Sequence, residues 1–323
     1  MCTTCPKQKK LVAYFFAIVI SFAAFYLAFT PKEAANLASI KPVVSVSTFS
    51  LFEVANAVAG DLLTVHSIVP LGSDAHMFSP NPKHVADISG GALFVYNGAG
   101  FETWAESLKN TLPKTTQVID MSQHVALQKS DGHEAKHHDE HEEHHEHGAY
   151  DPHYWLDIDN MIQMTQAMDT EFSKLFPAKA PSFHANASAY IAELQKLKAE
   201  YSAGLAECKN RTLITNHDAF GYLVRANKLE NISVIGLSSD EQPSAKNIAD
   251  IITLVKEHGV KTIFFEEFIN DNVSQTIAKE TGAKVQSLQP LENISEDELK
   301  SHQTYLTIMR ENLKKLREAM ECR

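Results

Sequence analysis

Basic residues are sparse in this sequence. Its 323 residues hold 29 lysines and arginines against 40 aspartates and glutamates, and no stripe of positive charge marks any segment, which argues against a nucleic-acid partner. Cysteine is rarer still, with four in the chain. Two of these, Cys2 and Cys5, precede the first apolar run, so neither stands behind it, where a lipid-bearing cysteine would. Also missing is a general base paired with an oxyanion-type loop, which weakens a hydrolytic reading. Apolar residues, at 44%, and charged residues, at 21%, are in globular proportion. The length suffices for two domains of ordinary size.

Lys7, Lys9 and Lys10 are followed by a run from Leu11 to Phe29 in which Ser21 is the only small hydroxyl residue. A positive region ahead of an apolar stretch is the order of a targeting segment, and this run is long enough to span a bilayer. Residues 1–30 therefore read as a signal peptide or an N-terminal anchor. No clean small-x-small cleavage site is present, with Ala35 to Ala38 the nearest candidate, so both remain open. The positive flank stays cytoplasmic, which places the rest of the chain in the periplasm, with or without its anchor. In that oxidising compartment one disulfide between Cys208 and Cys322 is expected, with two free thiols as the alternative.

From residue 43 onward, strand and helix alternate, which predicts an α/β fold with mainly parallel sheets. Val43–Ser47, Leu63–Val69, Ala92–Tyr96 and Gln117–Asp120 read as strands of an N-terminal lobe spanning 42–178, with helices over Phe49–Ala59, Pro82–Ile88 and Glu102–Leu112. Asn160–Leu175 is a helix whose Met161, Met164, Met168, Phe172 and Leu175 form a core stripe rather than a methionine metal site. Residues 182–207 then form one long helix, its apolar face marked by Ala187, Tyr190, Leu194, Leu197, Tyr201 and Leu205. Residues 208–323 repeat the first outline. Strands are expected at Arg211–Thr215, Ile232–Ile235, Thr262–Glu266 and Lys284–Leu288. Helices are expected at Ala219–Ala226, Ile248–His258 and Val273–Thr281, and a closing one from about Glu296 to Met320.

Between the fourth strand and the middle of the chain lies an unusual run. Residues 131–147 contain seven histidines and seven carboxylates against Lys136, more than half of the chain's net charge of −11. With no large apolar residue to bury, this is a disordered loop that attracts cations. His141-Glu142-Glu143-His144-His145 matches H-E-x-x-H in form. It is rejected as a metalloprotease site, because that motif needs a packed helix and here every neighbour is histidine or acid.

Three other histidines have pointed settings, each just past a strand or at a loop-to-helix entry: His76, His153 and His217. Open α/β sheets bind ligands outside the carboxyl ends of their strands, and neutral imidazole suits zinc. Taken singly, each could equally be a hydrogen-bonded loop residue. Their contexts say more. Gly72-Ser73-Asp74-Ala75-His76-Met77-Phe78-Ser79-Pro80-Asn81-Pro82, Asp151-Pro152-His153-Tyr154-Trp155-Leu156-Asp157 and Asn216-His217-Asp218-Ala219-Phe220-Gly221-Tyr222-Leu223 occur in this order. Together with the acidic histidine run and Pro243-Ser244-Ala245, they closely resemble the metal receptors among the solute-binding proteins of ABC importers, the zinc branch above all. The resemblance covers nearly all of residues 43–320. It implies two α/β lobes joined by one long helix, metal in the cleft between them, and ligand roles for His76, His153 and His217.

For a fourth ligand the resemblance offers less. Many relatives carry Asp in a Leu-Asp-Pro-Leu turn, where this chain has Leu288-Gln289-Pro290-Leu291. Another zinc-binding branch uses a Glu directly after it, which selects Glu292 here, with Gln289 or water as alternatives. Some relatives place a carboxylate just before the first histidine, where Ala75 stands here. Glu266, at the end of a buried strand, is expected behind an imidazole, orienting it, while Asp157 and Asp218 brace their own turns. Manganese receptors of the class usually replace the third histidine with Glu, so three nitrogens and one oxygen favour Zn(II).

The expected function is capture of Zn(II) and its delivery, by a monomer, to an ABC permease in the membrane, with no covalent chemistry. The histidine run would gather zinc near the cleft, and affinity would fall below about pH 6.5 as imidazoles protonate. A manganese or other divalent-metal receptor, a zinc buffer or adhesin without a transporter, and more distantly a zinc hydrolase are the alternatives.

Overall fold

The computed structural model describes residues 41–130, 150–237, 243–266 and 272–323. The targeting segment 1–30 and the histidine run 131–147, with its H-E-x-x-H match, lie outside the described residues.

Strands β1 (Val43–Val46), β2 (Thr64–Ser67), β3 (Leu93–Tyr96) and β4 (Gln117–Asp120) form a parallel sheet in the order β2-β1-β3-β4. β3 reads Leu-Phe-Val-Tyr and is buried throughout, the pattern of a central strand covered on both faces. A second parallel sheet, of β5 (Thr212–Thr215), β6 (Glu230–Ser233), β7 (Thr262–Phe265) and β8 (Lys284–Ser287), has the order β6-β5-β7-β8. In each sheet the chain steps from its first strand to one side, then crosses to the other. That reversal opens a crevice at the carboxyl ends of the strands.

The helices are α1 (Phe49–Ala59), α2 (Pro82–Ser89), α3 (Thr103–Leu108), α4 (Ile158–Leu175), α5 (Ala180–Gly204), α6 (Gly221–Ala226), α7 (Ala245–Glu257), α8 (Asn272–Thr281), α9 (Glu296–Lys300) and α10 (Tyr305–Ala319). α4 starts where Asp157 caps it by accepting from Asp159 N, and its methionine stripe is core: Met161, Met164, Met168 and Phe172 are fully buried. Each such side chain contributes about 1.5–3 kcal/mol. α5 is the long connecting helix. Pro181 sits in its first turn, where a missing N–H costs nothing, and its 25 residues span about 37 Å at a rise of about 1.5 Å per residue. It ends at Gly204, where a Cβ would meet Arg317 and Leu313 of α10 at 3.1 and 3.2 Å. Tyr201 donates from its hydroxyl to Met309 O at 2.7 Å on the same helix.

One expectation is corrected at the C-terminus. The single closing helix is two helices, α9 and α10, because His302 takes a left-handed backbone (φ 56°) that no α-helix passes through. Each piece has its own capping box, Ser295 with Glu298 and Thr304 with Thr307. The break lets Glu53 of α1 accept from Tyr305 N at 2.8 Å, pinning the start of α10 to the first lobe. Smaller differences are a shorter α3, ending at Leu108, and β6, which pairs with β5 over Glu230–Ser233 rather than Ile232–Ile235.

The main core runs through both lobes. It joins Val44, Leu51 and Trp155 to Leu197, Leu213, Phe220, Leu288 and Leu316 in one contiguous cluster, with smaller clusters around Ile214, Ile263 and Ile277 and around Ile68, Phe94 and Tyr96. Cys208 and Cys322 are disulfide-bonded, fastening the chain just past α5 to the residues beyond α10. Closing a loop of 114 residues restricts the unfolded chain, an effect of about 2–5 kcal/mol. Reduction, or replacement of both cysteines by serine, should therefore lower the denaturation midpoint measured by circular dichroism without altering the native spectrum. An unchanged midpoint would contradict this.

Candidate metal centre

Four loops at strand ends converge on one point. His76 lies in the loop after β2, His153 after β4, His217 after β5, and Glu292 after β8. One donor atom from each lies within 4.8 Å of all the others. His76 Nε2 is 3.3 Å from His153 Nε2, and both are 3.2 Å from Glu292 Oε1. A tetrahedral zinc with nitrogens at about 2.0–2.1 Å has ligand-to-ligand edges of about 3.3–3.4 Å, so these three edges already have the required size. The fourth donor, His217 Nε2, is buried and has no hydrogen-bond partner among the described residues. A buried imidazole nitrogen left without a partner is costly, and a cation among the four donors would remove that cost.

Each ring is turned by its surroundings. The Asp151 carboxylate accepts from both the backbone N and Nδ1 of His153, at 2.9 Å each, which leaves Nε2 facing the other donors. Tyr154 and Trp155, the two aromatics after it, lock this loop: Tyr154 donates from its hydroxyl to Asn97 O at 2.7 Å, and Trp155 donates from Nε1 to Pro290 O at 2.7 Å. His217 has Glu266 at its Nδ1, and Thr215 Oγ1 donates to its carbonyl at 2.8 Å. His76 packs on Phe101, ring centroids 4.4 Å apart. Glu292 follows Leu291, a buried residue held at φ 63°. Such a conformation is strained for leucine and persists only where its surroundings impose it.

The charges are arranged as tightly as the atoms. Burial alone would raise the Glu292 carboxyl, but the His76 charge and hydrogen bonds from His153 and His76 hold it well below the usual carboxylate range. Burial likewise opposes charge on His153, yet its bonds to Asp151 and Glu292 prevail and raise it to about 10. Glu292 raises His76 against burial in the same way. His217 goes the other way, down to about 3, through burial and then the charge of His153. Glu266 is pushed well above the ordinary range by burial and the nearby Glu292 charge, so without metal both members of the His217–Glu266 pair favour their uncharged forms.

All of His76, His153, His217 and Glu292 are thus together, and Glu266 stands behind His217. Gln289 is directed elsewhere: its Nε2 donates to Glu298 at 3.3 Å and its backbone is bonded on both sides by Asn312. Asp218 accepts from Asn231 at 2.8 Å, a bracing role. Sequence reasoning missed Asp151, although its place two residues before a histidine is that of a side chain bonding back to its own turn.

Residues 44–319 match the family described as zinc-uptake complex component A, periplasmic (ZnuA). The zinc-binding protein AdcA of Streptococcus pyogenes serotype M3 is 34% identical over 320 residues, 96% of this chain. The chain spans 61% of that relative's length. The high-affinity zinc uptake system protein ZnuA of Bacillus subtilis is 33% identical over 90% of this chain and 91% of its own. Among solved structures, the Zn(II)-bound ZnuA-like domain of Streptococcus pneumoniae AdcA superposes with a TM-score of 0.73 at 31% identity, over 87% of this chain and 99% of that one. A match running from the first strand to the last helix, and a relative covered almost end to end, lead to one conclusion: the chain belongs to the ZnuA family of periplasmic zinc-uptake components.

Proposed function

We propose that the chain is an extracytoplasmic receptor that takes Zn(II) between His76, His153, His217 and Glu292 and passes it to an ABC importer in the membrane. The observation that carries this reading is the donor set itself: three imidazole nitrogens and one carboxylate oxygen within 4.8 Å of one another, those of His76, His153 and Glu292 spaced 3.2–3.3 Å apart as edges of a zinc tetrahedron, with His217 Nε2 unpartnered among the described residues. Three nitrogens make the site too soft for manganese to be preferred. Four protein donors leave no open position for a reactive water, as a zinc hydrolase requires, and the relatives reported above are named for zinc binding and uptake. The periplasmic location follows the family description and the positive-then-apolar N-terminus. The ABC permease as partner and the monomeric state are part of the same proposal.

Glu266 supports the site from behind. With zinc on Nε2, His217 donates from Nδ1 to the Glu266 carboxylate, which fixes the ring and makes it a better donor. Glu292 balances part of the dication's charge. His76 and His153 must give up protons to bind, because their free-state values are raised.

Isothermal titration of the purified chain should show one tight zinc site. It should be weakened more than about 100-fold by His76→Ala, His153→Ala, His217→Ala or Glu292→Ala, and about 10–100-fold by Glu266→Ala. Deleting 131–147 should lower the total zinc bound and keep the tight site; loss of that site on deletion would place it in the wrong part of the chain. Titrations at pH 7 in buffers of different ionisation heat should register net proton release as zinc binds, because His76 and His153 are raised in the free state. Affinity should keep rising with pH above 6.5, since His153 is held at about 10, and should drop steeply toward pH 5. A flat profile from pH 5 to 8 would contradict the assigned ligands.

A further inference from the structure

We propose that Asn293 is a positioning residue for metal capture: its amide staples the loop carrying His76 to the turn carrying Glu292. The proposal rests on the zinc reading above and deepens it.

The three imidazoles are not held alike. His153 has the Asp151 carboxylate on Nδ1, and His217 has Glu266. Among the described residues, no carboxylate is bonded to Nδ1 of His76. Its ring packs on Phe101, so the placement of Nε2 depends on where the loop that carries it is fixed.

Asn293 fixes it. The residue is 4% exposed, and every polar atom of its side chain is used. Oδ1 accepts from Ile294 N at 2.9 Å, which sets the orientation of the amide. Nδ2 then donates one proton to Pro70 O at 2.7 Å and the other to Ser73 O at 2.8 Å. An amide has two such protons, and both go to the His76 loop. The backbone repeats the tie, as Gly72 N donates to Ile294 O at 2.9 Å. From Ser73 to the ring the path is short and stiff, because His76 N is bonded to Asp74 Oδ1 at 2.9 Å. Two donors 216 positions apart in sequence, His76 Nε2 and Glu292 Oε1, are thereby set 3.2 Å apart, with the staple one residue from the second.

The chemistry calls for asparagine. Aspartate would set a carboxylate against two carbonyl oxygens, and alanine would leave both carbonyls without this donor. A staple that acts through His76 makes a specific demand on a double-mutant cycle. Zinc affinity, measured by competition with a chelator, should fall about 10-fold or more in Asn293→Ala and further in Asn293→Asp. The alanine effect should persist in the His217→Ala background and shrink below about twofold in His76→Ala, since the ring it positions is gone. A purely structural role would weaken all three backgrounds equally, and that result overturns the proposal, as does an Asn293→Ala affinity within about twofold of wild type. Should Asn293→Ala not fold by circular dichroism, Asn293→Ser enters the same cycle with the same expectations. Failure of wild type to bind zinc tightly would remove the zinc reading and the staple together. Tight wild-type binding with an indifferent Asn293→Ala would remove the staple alone.

Discussion

A carboxylate that is largely out of water needs positive charge beside it, and the Glu292 carboxylate governs this molecule's centre. Without metal, protons on His76 and His153 supply that charge, which is why the carboxyl sits low and the imidazoles high. In the proposed function a dication takes over the same duty. Protons leave as Zn(II) arrives, so the pocket keeps positive charge beside Glu292 in both states. His217 stands apart. Burial and the neighbouring His153 charge keep it neutral without metal, and its Nε2 has no partner among the described residues.

The surrounding fold keeps these donors in register by not behaving as two loosely hinged halves. One core runs from the first sheet through α4 and α5 into the second, and α10, from the C-terminal half of the sequence, begins on Glu53 of α1. The 289–294 turn is gripped from several sides: by Trp155 at Pro290, by Asn312 at Gln289, and by Phe49 N at the Glu292 carbonyl. Leu291 keeps its strained backbone inside that grip. Interiors packed this way yield little to continuous deformation, and small displacements of the loops are what such a frame permits.

Much of the architecture was legible because the signals were local. Period-two and period-3.6 patterns located the strands and long helices, and the methionine stripe of α4 read correctly as core because its spacing was helical. The closing helix departs from its expectation for a reason also visible locally: Ser295 and Thr304 are both good caps, yet apolar residues keep helical spacing on either side of them, and the left-handed turn at His302 has no glycine to announce it. The histidines stood out through their motifs. Choosing Glu292 over Gln289 needed a resemblance, since the two lie three residues apart in one turn and only the fold decides which faces the cleft. Asp151 and Asn293 went unassigned for opposite reasons. The first was hidden in a motif read for its histidine, and the second acts on carbonyls more than 200 residues away.

That scatter has a consequence for biosynthesis. The four donors belong to positions 76, 153, 217 and 292, and the last is delivered only once β8 has been made. An unfolded chain keeps these four donors apart, because metal affinity of this kind is inseparable from the folded form. Under the proposed function, a chain that crossed a membrane unfolded would assemble this four-donor site only on the far side.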